Sequence, residues 1–225
     1  MSQRDKPWAI VPVKQFDNAK QRLAGALSAQ VRRALAQAML EDVLSALANC
    51  DALAGIAVVT IDPQAAAISR RHDARILTDA ATGGHTAAVV AAAERLAREG
   101  STAVLSVPGD IPLITANEVT QVVAAFETAP AFVIVPAHDE RGSNAVLCAP
   151  PGAVALSYGD DSFLPHLAAA RAAGIEPAVL RLPGIALDVD HPADLKAFLA
   201  KPSDTRAYRL LVDARSSFVS ERARE

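Results

Sequence analysis

The chain has 225 residues, of which 51% are hydrophobic and 21% charged, so it carries enough apolar material for a sizeable core and too little polarity for wholesale disorder. Its formal net charge of −3, the absence of a basic block and an aromatic content of only 4% weigh against a nucleic-acid binder of either the electrostatic or the base-stacking kind. What remains is small-molecule chemistry on one α/β domain.

Residues 1–7 are polar and too short for a signal peptide, and no apolar stretch runs uninterrupted for the length of a bilayer. Neither nucleic acid nor a membrane is therefore expected as a partner. Cys50 and Cys148 form no metal-type or redox-type pair and read as small buried hydrophobes, which suits a reducing cytoplasm. The run 8–13 has the length and β-branching of a buried strand. A loop with three cations, Lys14, Lys20 and Arg22, follows it. Ser28 then caps a long helix with the apolar stripe Val31, Leu35, Met39, Val43 and Leu47. Residues 55–61 predict a second strand, and Pro63 opens a short helix. A third strand is expected over 74–78, an alanine-rich helix over 86–99 and a fourth strand over 103–107. That strand runs into Pro108-Gly109-Asp110. Thr115 caps the next helix, to about residue 126, and 131–135 predict a fifth strand.

This alternation predicts a mostly parallel sheet with helices on both faces. Past Pro136 the pattern changes. Residues 138–144 are turn-like and 145–148 form a short strand. Pro150-Pro151-Gly152 breaks the chain, and a helix runs from Ser162 to near Gly174. Strands are expected over 178–182 and 185–189, separated by Pro183-Gly184. Pro192 begins the last helix of a domain spanning 1–200, and 201–225 read as a charged tail, either irregular or a helix with a frayed end.

Ligands in open α/β sheets bind beyond the carboxyl ends of strands. The loop with Lys14, Lys20 and Arg22 is placed to clamp a triphosphate, although a solvated basic loop would look the same. No Walker-type glycine-lysine motif is present. Asp110 leaves a strand through a Pro-Gly turn, where a carboxylate can ligate Mg²⁺; an aspartate serving the turn or capping the next helix is the alternative, and Thr115, closer to that helix, makes the cap unnecessary. In Asp188-Val189-Asp190, strand alternation puts both carboxylates on one face, where a cation has to offset their repulsion. A helix cap would explain one of these aspartates but not both. Residues 141–144 and 159–162 resemble anion-binding loops or ordinary turns, and the second of them opens a helix. His166, one turn after Ser162, is either near the site or a satisfied structural histidine.

These residues, in this order, resemble the 2-phospho-L-lactate guanylyltransferases of deazaflavin coenzyme F(420) biosynthesis, whose bacterial relatives use phosphoenolpyruvate or 3-phospho-D-glycerate. The resemblance runs from about Trp8 to Leu199. It is carried by Val11-Pro12-Val13-Lys14, Ala19-Lys20, Arg22-Leu23, Ala38-Met39-Leu40, Asp42-Val43-Leu44 and Gly109-Asp110-Ile111-Pro112-Leu113. Downstream it continues in Gly142-Ser143-Asn144-Ala145, Pro150-Pro151, Gly159, Ser162-Phe163, His166, Leu187-Asp188-Val189-Asp190, Pro192 and Asp194-Leu195. It implies a nucleotide-diphospho-sugar-transferase-like fold. It also implies a Mg²⁺-dependent transfer of GMP from GTP to a small phosphorylated carboxylic acid, with pyrophosphate released.

The implied site puts Pro12, Val13, Lys14, Gly84, Thr86 and Pro108 around the nucleotide, and Lys14, Lys20, Arg22 and Asp110 at the reacting phosphates. Asp110, Asp188 and Asp190 would hold Mg²⁺, and Ser143, Asn144, Gly159 and Ser162 the acid. One departure stands out: the family's usual Gly-Leu-Asn run is Gly83-Gly84-His85-Thr86 here. A transferase on the same fold using CTP or another triphosphate, or a non-enzymatic nucleotide-binding regulator, is the alternative. The acid, the strictness of the base preference and a homodimer are left open.

Overall fold

The computed structural model describes residues 6–81 and 83–222. Seven strands form one sheet: β1 (Trp8–Pro12), β2 (Gly55–Val59), β3 (Arg75–Leu77), β4 (Val104–Ser106), β5 (Ala131–Pro136), β6 (Ser143–Ala149) and β7 (Ala178–Val179). Their spatial order is β3-β2-β1-β4-β6-β5-β7. Pairing is parallel between β1 and both β2 and β4, between β2 and β3, and between β5 and β7. β6 lies antiparallel between β4 and β5. The mostly parallel sheet expected from the alternation is therefore present, with one reversed strand inserted.

The helices are α1 (Ala29–Ala48), α2 (Pro63–Arg70), α3 (Gly84–Arg98), α4 (Ala116–Ala124), α5 (Phe163–Ala172), α6 (Pro192–Leu199) and α7 (Arg206–Arg222). Strand alternation divides the core between the two faces of the sheet. Ala9, Val11, Val58 and Leu105 pack with Leu40, Val43, Leu44 and Leu47 of α1, Ile68 of α2 and Val119 of α4. Ile10, Ala57, Val59 and Val104 face α3 through Ala88, Ala92 and Leu96. Phe132, Ile134, Val146 and Cys148 meet Phe163, Leu167 and Ala170 of α5. Both cysteines are free and buried, as small hydrophobes would be. Among the described residues, no helix is long and apolar enough to cross a membrane.

Two sequence expectations change. Residues 185–189 form no strand: Ile185 lies in a turn that Ala186 N closes by donating to the Leu182 carbonyl at 2.8 Å. Their backbone is held by scattered partners instead of a ladder: the Ala186 carbonyl accepts from His138 N at 2.8 Å, and Val189 N donates to the Asp110 carbonyl at 3.1 Å. The segment from Lys201 carries the helix α7, and that helix packs onto the fold. Ala207 and Leu211 of α7 are buried against Leu35 and Met39 of α1 and Phe198 of α6. The Asp42 carboxylate on α1 accepts from the N–H groups of Arg206 and Ala207, both at 2.9 Å, and so caps α7. The folded unit thus continues past residue 200, making α1 the middle of a three-layer stack on that side.

Candidate active site

The chain exits β1 and β4, adjacent parallel strands, toward the same end of the sheet. β1 continues through Val13, whose N–H still bonds Val59 at 2.9 Å, into the cationic loop. β4 continues into Pro108-Gly109-Asp110. Because β6 is antiparallel with Val146 opposite Ser106, its first residues, Ser143 and Asn144, lie beyond the carboxyl end of β4. A cleft of about 900 Å³ opens here, the place where an open α/β sheet binds ligands. It is lined by Pro12, Val13, Lys14, Lys20, Arg22, Pro108, Asp110, Ser143, Asn144, Gly159, Ser162, Asp188 and Asp190. Most of the expected site residues are therefore brought together.

At its centre Lys20 Nζ donates to Asp110 Oδ2 and Asp190 Oδ1, at 2.6 Å each. The Lys20 side chain is only 7% exposed. Burial by itself would depress the ammonium, but Asp110 and Asp190 outweigh it and hold Lys20 above the usual lysine range. Burial likewise pushes Asp190 up, and Lys20 more than reverses this, leaving the carboxylate below its ordinary value. Lys20 takes a left-handed backbone, φ +54, uncommon for a residue with a side chain. Its neighbour Leu23 is fully buried, which fixes the loop that imposes this conformation.

The Val189-to-Asp110 backbone bond brings the 188–190 segment alongside Asp110. Val189 points into the core beside Leu195 and Phe198, while Asp188 and Asp190 both face the cleft. This is the one-face arrangement expected from the alternation. Gly184 starts the segment: a Cβ there would collide with the Leu113 carbonyl and the Glu118 carboxylate. Its N–H instead donates to buried Glu118 at 2.7 Å. The resemblance puts Asn144 at the acid, but its amide nitrogen is committed elsewhere. It reaches the carbonyls of Ile185 (3.0 Å) and Ala186 (3.1 Å) and Asp188 Oδ1 (3.1 Å), so Asn144 clamps Asp188 from behind. Burial, with Asp110 and Asp190 adding to it, raises Asp188 despite the Asn144 bond.

The three carboxylates do not stand as a ready-made metal cage. Among the described residues, no group of three or more His, Cys, Asp or Glu is arranged to hold an ion. The cation that offsets the repulsion between Asp110 and Asp190 is Lys20. The donor set nevertheless fits Mg²⁺. Two hard carboxylate oxygens converge on one point already favourable to positive charge, and Asp188 is close enough to feel both.

At the rim Arg22 is 51% exposed. It approaches His191 Nε2 (3.3 Å), Asp160 Oδ1 (3.5 Å) and Asp190 Oδ2 (3.9 Å). Lys14 is exposed along the same wall. Gly84 and Thr86 do not line the cleft. The Thr86 hydroxyl instead accepts from Tyr158 N at 3.0 Å. Gly83 and Gly84, at φ +86 and +88, turn the chain into α3 and present His85 in their place. His85 packs on Tyr158 with ring centroids 4.7 Å apart, and both residues line the cleft. Burial depresses its imidazole, partly countered by Asp110.

The start of α5 is a weaker anion site than its sequence suggests. Phe163 N donates to the Arg141 carbonyl at 2.8 Å, residue 165 is proline, and His166 N donates to the Ser162 carbonyl at 3.0 Å. The side chains of Ser143 and Ser162 remain, linked at 3.2 Å with His166 behind them. Neither the Asn144 clamp nor the Tyr158 contact has a sequence signal, because each depends on segments at least 40 residues apart in the chain.

A twisted α/β sheet with a cationic loop, converging carboxylates and a serine-lined wall at its switch point defines a nucleotidyltransferase-type fold. A cytidylyltransferase from Leptospira borgpetersenii superposes with a TM-score of 0.60 at 11% identity, over 95% of each chain. A 4-diphosphocytidyl-2C-methyl-D-erythritol synthase from Anaerococcus prevotii gives the same score and identity over 88% of this chain and 97% of that one. The family described as guanylyl transferase CofC like matches residues 8–224, and the chain belongs to it. It is 40% identical over 191 residues to a phosphoenolpyruvate guanylyltransferase of Conexibacter woesei, covering 84% of this chain and 86% of the relative. It is 32% identical to a 3-phospho-D-glycerate guanylyltransferase of Colwellia psychrerythraea, over 86% and 92% respectively.

Proposed function

We propose that this protein transfers GMP from GTP to the phosphate of a small phosphorylated carboxylic acid, supplying an activated intermediate for deazaflavin coenzyme F(420) synthesis in the cytoplasm. Phosphoenolpyruvate is the first acid to test, since several similar relatives are named for it. The observation that carries this reading is the convergence of Asp110 and Asp190 on Lys20, between a rim of exposed cations and a wall of serine hydroxyls.

In this scheme a phosphate oxygen of the acid attacks the α-phosphorus of GTP. An oxygen–phosphorus bond forms, the bond from the α-phosphorus to its bridging oxygen breaks, and pyrophosphate leaves. The attacking phosphate is already anionic at neutral pH, so no side chain has to remove a proton. The protein's task is to bring anions together and to offset charge on the phosphoryl oxygens. Lys14 and Arg22 meet the triphosphate at the mouth, and Lys20 supplies buried positive charge where the departing pyrophosphate builds up negative charge. Asp110 and Asp190, with Asp188 held by Asn144, would carry Mg²⁺. When bound, that ion supplies Lewis-acid polarisation of the α-phosphate. Ser143 would hold the acid, with Ser162 supporting it from behind.

The product identifies the reaction. Phosphorus NMR of a GTP and phosphoenolpyruvate incubation should show two mutually coupled diphosphate signals together with free pyrophosphate. That pair must be new, distinct from the coupled signals of GTP and GDP; inorganic phosphate and GDP with no new pair would identify a hydrolase instead.

A further inference from the structure

Behind the serine wall, His166 is fully buried, with Tyr158 edge-on at 5.0 Å and Phe132 at 6.3 Å fixing the ring. Its Nε2 lies 2.9 Å from the backbone N–H of Ser157. A backbone amide can only donate, so Nε2 carries a lone pair and no hydrogen. Burial pushes His166 down to about 4, so the ring is neutral at pH 7 and its one hydrogen sits on Nδ1. Nδ1 is 2.9 Å from Ser143 Oγ and therefore donates to it.

Ser162 Oγ donates to the same oxygen at 3.2 Å. Although it is the residue preceding α5, Ser162 makes no side-chain cap bond to that helix. Its hydroxyl is turned to Ser143 instead. A hydroxyl oxygen accepts through two lone pairs and donates one hydrogen. Both lone pairs of Ser143 are engaged, which leaves only its O–H, on a residue that lines the cleft.

We propose that His166 is a positioning residue that fixes Ser143 as an obligatory hydrogen-bond donor toward the cleft, so that the place beside Ser143 selects an oxyanion of the acceptor acid. This rests on the reaction proposed above for what fills the cleft. The Ser143 geometry itself does not depend on that reaction.

Two variants separate positioning from structure. His166→Asn keeps an amide nitrogen at the place of Nδ1. His166→Gln puts its polar atoms near Nε2 and removes the donor to Ser143. The expected result is that His166→Gln raises KM for phosphoenolpyruvate about tenfold, the loss of one hydrogen bond to a charged group, while KM for GTP moves less than about twofold. His166→Asn should recover most of that loss. Equal changes in both KM values, or no change in either, would overturn the proposal.

Nitrogen-15 NMR of the wild-type imidazole at pH 7 supplies a readout independent of turnover. Protonated Nδ1 with bare Nε2 is expected, and the opposite tautomer or an imidazolium would overturn the proposal. If the wild-type protein turned over no acid at all, the proposed reaction would fall and the tautomer would still decide the Ser143 assignment.

Discussion

Lys20 Nζ donates to Asp110 at 2.6 Å across 90 residues of sequence, and it does so from a left-handed backbone. The same nitrogen serves Asp190. Lys20→Met should therefore do two things. Activity should fall about 10²–10³-fold, the usual cost of one preorganised electrostatic contact to a reacting group. Stability at pH 7 should also fall, since two facing carboxylates lose their shared cation.

The pH dependence of that stability deficit has a definite shape. The Lys20 pKa is raised, so its contribution is complete below the ordinary lysine value of 10.5 and is lost only as pH climbs through the higher folded value. Asp190 is lowered, so its contribution is present above 3.8 and is lost as pH drops through the lower folded value. Urea midpoints of the wild type and Lys20→Met should differ by a constant amount between about pH 4 and pH 10, converging at either end. A difference that vanishes near neutrality would contradict the ion triad.

Asn144→Leu should keep the fold and lose activity about 10–100-fold, the size expected if Asp188, which Asn144 orients, ligates Mg²⁺ as proposed. The loss should appear in kcat more than in KM for GTP, because Asn144 holds Asp188 and lies away from the cationic rim. A change confined to KM for the acid would return Asn144 to direct substrate contact.

His166 makes a separate acid limb. Its pKa is near 4 in the folded protein, so between pH 6.5 and 4 only the unfolded chain gains this proton, and stability drops by about 3 kcal/mol over that range. Raised Asp42 and Asp188 work in the opposite direction, so the wild-type curve alone is a composite. Comparison with His166→Asn isolates the histidine: the variant should lose less stability between pH 7 and 4. Parallel curves would mean that His166 is protonated in the fold.

Asp42→Ala should cost about 1–2 kcal/mol by uncapping α7, with kcat/KM unchanged at a temperature where the variant is folded. Removing residues 203–225 should destabilise further, because Leu35, Met39 and Phe198 would lose Ala207 and Leu211 as cover. Urea denaturation of both proteins checks this.

Much of this site is legible in the sequence. The cationic loop, Asp110 after a Pro-Gly turn and the Asp188-Val189-Asp190 alternation each follow from an apolar run ending at a polar turn, which is local information. What the sequence hides is long-range. Residues 185–189 have strand-like composition, but their backbone partners are a side chain and two loops, so no ladder forms. Lys20 reads as a phosphate clamp because nothing local says that its loop folds back between two carboxylates. Thr86, placed at the nucleotide by the resemblance, bonds Tyr158 instead, and the paired left-handed glycines present His85 to the cleft. α7 does leave a signal: Ala207 and Leu211 are one helical turn apart, a narrow stripe among charges that is outweighed by the polar composition around it.

Continuous measurement of pyrophosphate release is the decisive test of the guanylyltransferase reading. GTP and Mg²⁺ are combined with phosphoenolpyruvate, 2-phospho-L-lactate or 3-phospho-D-glycerate in turn, with CTP, ATP and UTP as controls. Release should require both GTP and one of these acids, and Asp110→Asn should abolish it. Release from GTP without an acid, or none with any pair from a folded protein, would contradict that reading.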